Sequence, residues 1–221
     1  MTTRGLAAIA LALGATLAHA APAADQPPAN LLAGAPAKAA AIDGVLANFK
    51  LDRLRCKFSE EKRIALLAKP LRATGTIYFA RDRGVARLSE TPKRDQLVVT
   101  SSVVRIRKGT RTEEIPLDKS KDLKAFALII PTLLRGDRAG LQQAFEITLH
   151  GSDKDWWALT FVPKSASLAK LLKKVVVVGK KSEPYSLQVI EQSGDVTNTR
   201  LFEIAKNADV PDAELKTAFG N

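Results

Sequence analysis

From Arg53 onward, apolar and polar residues alternate in one short run after another, and this limits the possible folds more than any other feature of the chain. A period of two places alternate side chains on opposite faces of a strand. Leu54, Cys56 and Phe58 alternate with Arg53, Arg55 and Lys57, giving one apolar and one basic face. After Pro70, Gly75, Ile77, Phe79 and Arg81 share one side, with Thr74, Thr76, Tyr78 and Ala80 on the other. Strands are predicted over 85–90, 96–101, 103–108 and 111–115, with Pro92, Gly109 and Pro116 in the connections. Alternation resumes at Phe145, Ile147 and Leu149 and again at Trp157, Leu159 and Phe161. It continues through Val175–Val178 and ends in strands over 185–191 and 196–204. The count is ten or eleven, and most connections are too short for parallel crossovers, so the sheet is predicted to be antiparallel.

Helical periodicity interrupts this pattern in few places. A first helix is expected over 38–48, with Ile42, Val45, Leu46 and Phe49 as its apolar stripe. In mid-chain, Leu123, Phe126, Ala127, Ile130 and Leu134 recur at helical spacing, and Leu128, Ile129 and Leu133 widen the stripe almost all round. Pro131 lies inside it, so Ile130 is expected to leave helical geometry. Gly136 suits a left-handed helix end, and Asp137 the cap of a short helix to Ala144. A short basic helix is expected over 165–173. The predicted class is mainly β (α+β): an incomplete antiparallel β-barrel of about 10–11 strands, with three or four helices covering an apolar concave side. Barrels of this size hold either a ligand cavity or a filled core, and the pattern alone does not separate the two.

The N-terminus reads as an export signal. Arg4 precedes an apolar stretch over 6–17, and Ala18-His19-Ala20 is a small-x-small cleavage pattern. The stretch is too short to span a bilayer core of roughly 30 Å as a helix. The expected organisation is a signal peptide over 1–20, a Pro- and Ala-rich disordered linker over 21–37, and a single domain over 38–221. No Cys follows the cleavage site, so no lipid is expected on the mature N-terminus. The expected location is the periplasm.

This reading reshapes the charge argument. The chain carries 34 Lys and Arg against 23 Asp and Glu, a net +11. In a cytoplasmic protein that excess would suggest nucleic acid. Export and the lack of aromatic residues on the basic faces argue against it. Anionic headgroups, acidic glycolipids or an acidic partner fit better, and a merely solvated basic surface fits as well. The rows involved are Arg53, Arg55 and Lys57, then Arg105 with Arg107, Lys93 with Arg94, and Lys170, Lys173, Lys174, Lys180 and Lys181.

Catalytic constellations are few. A lone Cys excludes an internal disulfide. Cys56 and His150 are the only nucleophile–base pairing available, and Cys56 falls on the apolar side of its strand. One Cys and one mature His make no ordinary zinc site. No phosphate-binding loop or Gly-x-Ser-x-Gly elbow is present. Asp153, Asp155 and Asp195 stand where turns are expected, and Arg135-Gly136-Asp137 serves as a helix end and cap. No catalytic residue, metal or cofactor is assigned.

The order of motifs resembles the periplasmic outer-membrane lipoprotein carriers, the LolA-like family, in a divergent branch. The residues that carry the resemblance are Phe58-Ser-Glu60, Gly75-x-Ile77-x-Phe79-x-Arg81, Pro92, Leu133-Leu134-Arg135-Gly136-Asp137, Trp157-x-Leu159-x-Phe161-x-Pro163-Lys164, Asp195-x-Thr197 and Phe202. The resemblance implies an incomplete antiparallel barrel with helices as a lid over an apolar cavity that holds acylated cargo, with no cofactor and no catalysis. It also implies that Arg81 bonds to the lid and keeps the empty cavity closed; the strand pattern equally allows an arginine reaching solvent. Three positions depart from the family pattern: Asp82 stands for proline, Arg87 for an aromatic and Glu60 for Gln.

The expected function is a periplasmic carrier or chaperone that takes the acyl chain of a lipoprotein or lipid-linked molecule toward the outer membrane. The expected apolar cargo surface is Phe58, Ile77, Phe79, Val99, Ile106, Phe126, Ile130, Leu133, Trp157, Leu159 and Phe161, with Arg81 as lid contact. Expected partners are lipoprotein, lipid or glycolipid cargo, an inner-membrane exporter and an outer-membrane acceptor, with a monomeric protein and no nucleic acid. A lipid- or lipoprotein-sensing domain is the alternative binding function, and an exported enzyme acting on envelope lipids is the alternative of another class.

Overall fold

The computed structural model describes residues 26–220. The alternation resolves into one antiparallel sheet of eleven strands. They are β1 (Arg53–Arg63), β2 (Leu71–Ala80), β3 (Gly84–Thr91), β4 (Asp95–Val99), β5 (Val103–Lys108), β6 (Arg111–Pro116), β7 (Phe145–Gly151), β8 (Trp156–Pro163), β9 (Leu172–Lys180), β10 (Glu183–Glu191) and β11 (Val196–Lys206). Their spatial order is β6-β5-β4-β3-β2-β1-β11-β10-β9-β8-β7. The first and last strands therefore pair at the centre, with Phe58 opposite Leu201 and Gly75. The two free edges, β6 and β7, are consecutive in sequence, and the chain between them is helical. The barrel is thus incomplete, as expected, and helices cross its gap.

Three helices make that crossing: α2 (Lys121–Ala127), α3 (Ile129–Leu134) and α4 (Arg138–Ala144). The others are α1 (Ala41–Ala47), α5 (Ala166–Ala169) and α6 (Asp212–Phe219), numbering α1 to α6 in chain order. Six helices among the described residues exceed the three or four expected. The extra elements come from the divided lid and from α6, whose single short turn pattern gave little periodicity to read.

Pro131 acts differently from the expectation. Ile130 is helical, inside α3, and the break falls at Leu128, with φ −92° and ψ 2°. The ring of a proline clashes with the carbonyl four residues earlier, here that of Ala127, and relief comes between the two. Pro131 itself sits in the first turn of α3, where a missing N–H leaves no helical bond unmade. Gly136 ends α3 at φ +67°, and the Asp137 carboxylate accepts from Gly140 N at 2.9 Å to start α4.

Apolar packing covers both faces of the sheet. On the concave side, Leu54, Cys56, Phe79, Leu159, Phe161 and Val177 meet α1, α3 and α4 through Val45, Leu46, Ile129, Leu133 and Leu141, together with Phe49 just after α1. On the convex side, Leu215, Ala218 and Phe219 of α6 pack on Ala80, Ala86 and Val98. The small side chains at 80 and 86 let the helix approach, and Gln96 Nε2 donates to Ala218 O at 2.6 Å.

The first basic row belongs to this packing. Arg53 pairs with Asp212 at 2.6 Å, Arg55 with Glu214 at 2.9 Å and Lys57 with Glu90 at 3.1 Å. Two of these cations therefore clamp α6 onto the sheet. The expected signal peptide over 1–20 and residues 21–25 of the expected linker lie outside the described residues. Residues 26–36 run through turns, and Ala37 N donates to Leu149 O on edge strand β7 at 2.8 Å.

Candidate functional site

The lid spans the gap between the sheet edges and is held at both ends. At the α3–α4 end, Arg135 Nη2 donates to Arg81 O at 3.1 Å, and Arg138 Nη1 donates to Asp43 on α1 at 2.6 Å. At the other end, Ser120 caps α2 by accepting from Leu123 N. Ser165, just before α5, donates to the Asp122 carboxylate at 2.6 Å. That bond ties α2, which follows β6, to the segment beyond β8, across the open side of the sheet. Hydrogen bonds from Ser165, then Ser167, hold the Asp122 carboxyl below its usual range.

Beneath the lid are two apolar clusters. Phe79, Leu133, Trp157, Leu159 and Phe161 lie in the main one, with Ile77 and Ile130 against its margin. Val99 and Ile106 lie in the second, with Leu117, under Leu123, Ala127 and Leu128 of the lid. Most of the expected cargo surface is therefore brought together where α2 and α3 meet the concave face. The lid's own side chains occupy that interface. Phe126 stands apart: it is 40% exposed and belongs to neither cluster. A stripe that is apolar all round a helix does not show which side faces in, and Ala127 and Leu123 took that side.

Trp157 is fixed in place. Its ring meets Phe49 edge-on at 5.5 Å, and Nε1 donates to Lys181 O at 2.8 Å. Gly179 makes this possible, since a Cβ there would overlap the indole. The sequence reading passed over Gly179; a glycine directly after a run of valines was the available signal.

The Arg81 side chain reaches Asp52, with Nε donating at 2.8 Å, and is exposed. The bond between this residue and the lid is made by its backbone carbonyl, with Arg135 as donor. A guanidinium at a strand end finds a carboxylate in the adjoining loop more readily than a lid carbonyl. Arg135, read from sequence only as part of a helix end, is the side chain that joins lid to sheet.

Two departures from the family pattern meet on the concave face. Arg87 Nη2 donates to Glu60 at 3.0 Å, and Nη1 to Ser89 Oγ at 2.9 Å. Thr199 Oγ1 donates to the other Glu60 oxygen at 3.0 Å, and the Arg87 guanidinium lies over the Phe58 ring, 4.4 Å from its centroid. Phe58 is buried under this polar cap, and Gly75 leaves room for its ring. Each departure thus supplies the partner the other needs.

Among the described residues, Cys56 and His150 lie on different faces of the sheet. Burial pushes the Cys56 thiol up to about 12, so it stays protonated at neutral pH. Cys56 faces the concave core, whereas His150 lies opposite Ala158 on β8. Among the described residues no three His, Cys, Asp or Glu side chains are grouped to hold a metal ion. No helix among them is long and apolar enough to cross a membrane. Hollows elsewhere include one of about 630 Å³ beside Leu32, Val176, Val178 and Gln188, and one of about 420 Å³ beside Trp156, Tyr185 and Phe202.

Solved structures with similar folds include a LolA superfamily protein from Nitrosomonas europaea, 11% identical, covering 81% of this chain and 97% of its own, with a TM-score of 0.42. MucB, seen with MucA of Pseudomonas aeruginosa, is 12% identical with a TM-score of 0.46, covering 80% of this chain and 60% of its own. The lipoprotein LppX of Mycobacterium tuberculosis is 10% identical with a TM-score of 0.40, covering 78% of this chain and 97% of its own. No curated protein matches in sequence. The family described as outer membrane lipoprotein carrier protein LolA-like matches residues 34–220, nearly the whole described chain. The chain belongs to this LolA-like carrier family.

Proposed function

We propose that the protein is a periplasmic carrier that seats an acyl chain between α2–α3 and the concave face of the sheet and delivers a lipoprotein or lipid-linked molecule toward the outer membrane. The observation that carries this reading is the lid itself: a divided apolar segment, bridging the two free edges of an open sheet and latched on one side through the Asp122 carboxylate to Ser165.

The energetics suit binding with release. Burying a C16 chain is worth on the order of 12 kcal/mol, at about 0.8 kcal/mol per CH₂. Lifting the lid exposes Ile129, Leu133 and Leu134, each buried in the closed form. At about 1.5–3 kcal/mol per side chain, that displacement costs roughly 5–9 kcal/mol. The remainder is a few kcal/mol, enough to favour the loaded form and small enough for an acceptor to remove the cargo. The hinge lies at Arg135–Arg138, where Arg135 and Arg138 hold to the sheet and α1, and the moving arm is α2 with α3.

Detergent-free purification followed by native mass spectrometry tests the reading. The expected result is a stoichiometric bound lipid or lipopeptide, unchanged in mass on release. A chemically altered product, or a protein that acquires no acyl ligand from any lipid source, overturns it.

A further inference from the structure

One end of the sheet carries a second kind of apolar surface. The β1–β2 loop there reads Arg63-Ile-Ala-Leu-Leu-Ala-Lys-Pro-Leu-Arg72, and Leu66 is 94% exposed, with Leu67 and Leu71 about half exposed. Leu171, just before β9, is 69% exposed. These four are half of the large apolar side chains exposed among the described residues. Single exposed leucines are ordinary, but a group at one rim is not.

Hydrogen bonds place the segments side by side. Ala65 N donates to Asp195 Oδ1 at 3.0 Å, joining the leucine loop to the β10–β11 turn. Gln192 N in that turn donates to Leu171 O at 2.9 Å. Lys62 pairs with Glu191 at 2.9 Å across the same strands. The β3–β4 and β5–β6 connections lie at this end as well, since Asp95 pairs with Lys108.

Charge accumulates at the same rim. Segments 63–72, 91–95, 107–111, 170–174 and 191–195 hold eleven Lys and Arg against three Asp and Glu, in a chain whose net charge is +11. Arg63 and Arg72 share the Glu61 carboxylate, both remaining exposed, and such surface pairs exchange readily. The basic row at Arg53–Lys57, by contrast, is spent on α6 and Glu90.

We propose that this rim docks on an anionic lipid bilayer, with Leu66 and Leu67 entering the headgroup–acyl boundary and the surrounding cations meeting phosphate. Leucines interleaved with bases on a projecting loop need an apolar medium bordered by negative charge, which is what a bilayer surface offers. An acidic protein would satisfy the cations and leave the most exposed leucine without a use. The same end holds α5 and the Ser165–Asp122 latch, so docking would set the free arm of the lid at the membrane. The docking proposal does not depend on what the lid covers, and its test uses vesicles without cargo.

The full chain with Leu66→Cys carries an environment-sensitive fluorophore, and a second sample carries it at Ser101→Cys in the turn at the opposite end. Cys56 is buried and does not compete for label. With phosphatidylcholine vesicles holding about a quarter phosphatidylglycerol, the label at 66 shifts blue and is quenched by lipid-borne quenchers, and the label at 101 is unchanged. Pure phosphatidylcholine gives little response, and raising NaCl from about 0.05 to 0.5 M reverses the binding. In the unlabelled chain, Leu66→Ser with Leu67→Ser weakens rim-dependent partition by roughly tenfold or more. Equal shifts at both labels, no shift at 66, or anionic binding indifferent to the leucine changes each overturns the proposal. A label at 66 that responds only to added envelope protein would do the same, assigning the rim to a protein partner.

Discussion

Glu60 and Arg87 can be replaced by the residues the family pattern expects, and the outcome follows from their geometry. The two are 3.0 Å apart and each side chain is about one-fifth exposed. At an effective dielectric of about 20, the attraction is roughly 4 kcal/mol before desolvation, and burial of both charges cancels much of it. Removing one partner strands the other on the apolar concave face. Arg87→Phe alone leaves Glu60 with only Thr199 and is expected to cost about 2–3 kcal/mol. Glu60→Gln alone leaves Arg87 with Ser89, the Phe58 ring and the more distant Asp95 carboxylate at 3.9 Å, for about 1–2 kcal/mol. The double change removes both charges and is expected to stay within about 1 kcal/mol of the parent, a coupling of about 2 kcal/mol or more. Urea unfolding followed by the fluorescence of Trp156 and Trp157, at fixed m-value, measures all four proteins. A double variant as unstable as the sum of the singles would refute the claim that the two departures compensate each other.

Other outcomes follow from the packing and the titrating groups. Gly179→Ala drives a methyl group into the Trp157 indole and is expected to cost about 2 kcal/mol or more, with loss of near-ultraviolet circular dichroism. Leu133→Ala, in the lid core, is expected to cost about 2–4 kcal/mol, whereas Phe126→Ala on its outer side changes stability by less than about 0.5 kcal/mol. Cys56 should resist thiol reagents in the native protein near pH 8 and react on unfolding. An unfolded thiol loses its proton near about 8.5, whereas the folded one keeps it to about 12, so stability falls as pH rises between these values, less steeply in Cys56→Ala. The depressed Asp122 carboxyl contributes above the ordinary value near about 3.9 and is lost as pH falls through its lower folded value. Hydrogen exchange in α2 should therefore be flat in protection from about pH 8 to 5 and faster in Ser165→Ala; equal protection in that variant removes the latch.

Strand alternation made the sheet legible because a half-buried strand must declare its two faces residue by residue. Phe79, Leu159 and Phe161 were readable for that reason. The edges were less so: nothing local in Arg111–Pro116 says that it lies far from Phe145–Gly151, and that separation creates the gap the lid fills. The exposure of Phe126 was not legible because an all-round apolar helix leaves its orientation to tertiary packing. Glu60 and Arg87 were visible only as departures, since their pairing crosses from β1 to β3 over β2. Asp122 and Ser165 are 43 residues apart and become neighbours only through the curl of the sheet.

Photo-crosslinking with a diazirine-bearing acyl lipopeptide, mapped by peptide mass spectrometry, asks directly where a hydrocarbon chain sits. The account predicts adducts on the inner side of α2–α3 and on facing strand residues, among them Ile77, Phe79, Ile130, Leu133 and Phe161. Adducts confined to the outer hollow beside Leu32, Val176 and Val178, with the lid and the concave face unlabelled, would contradict it.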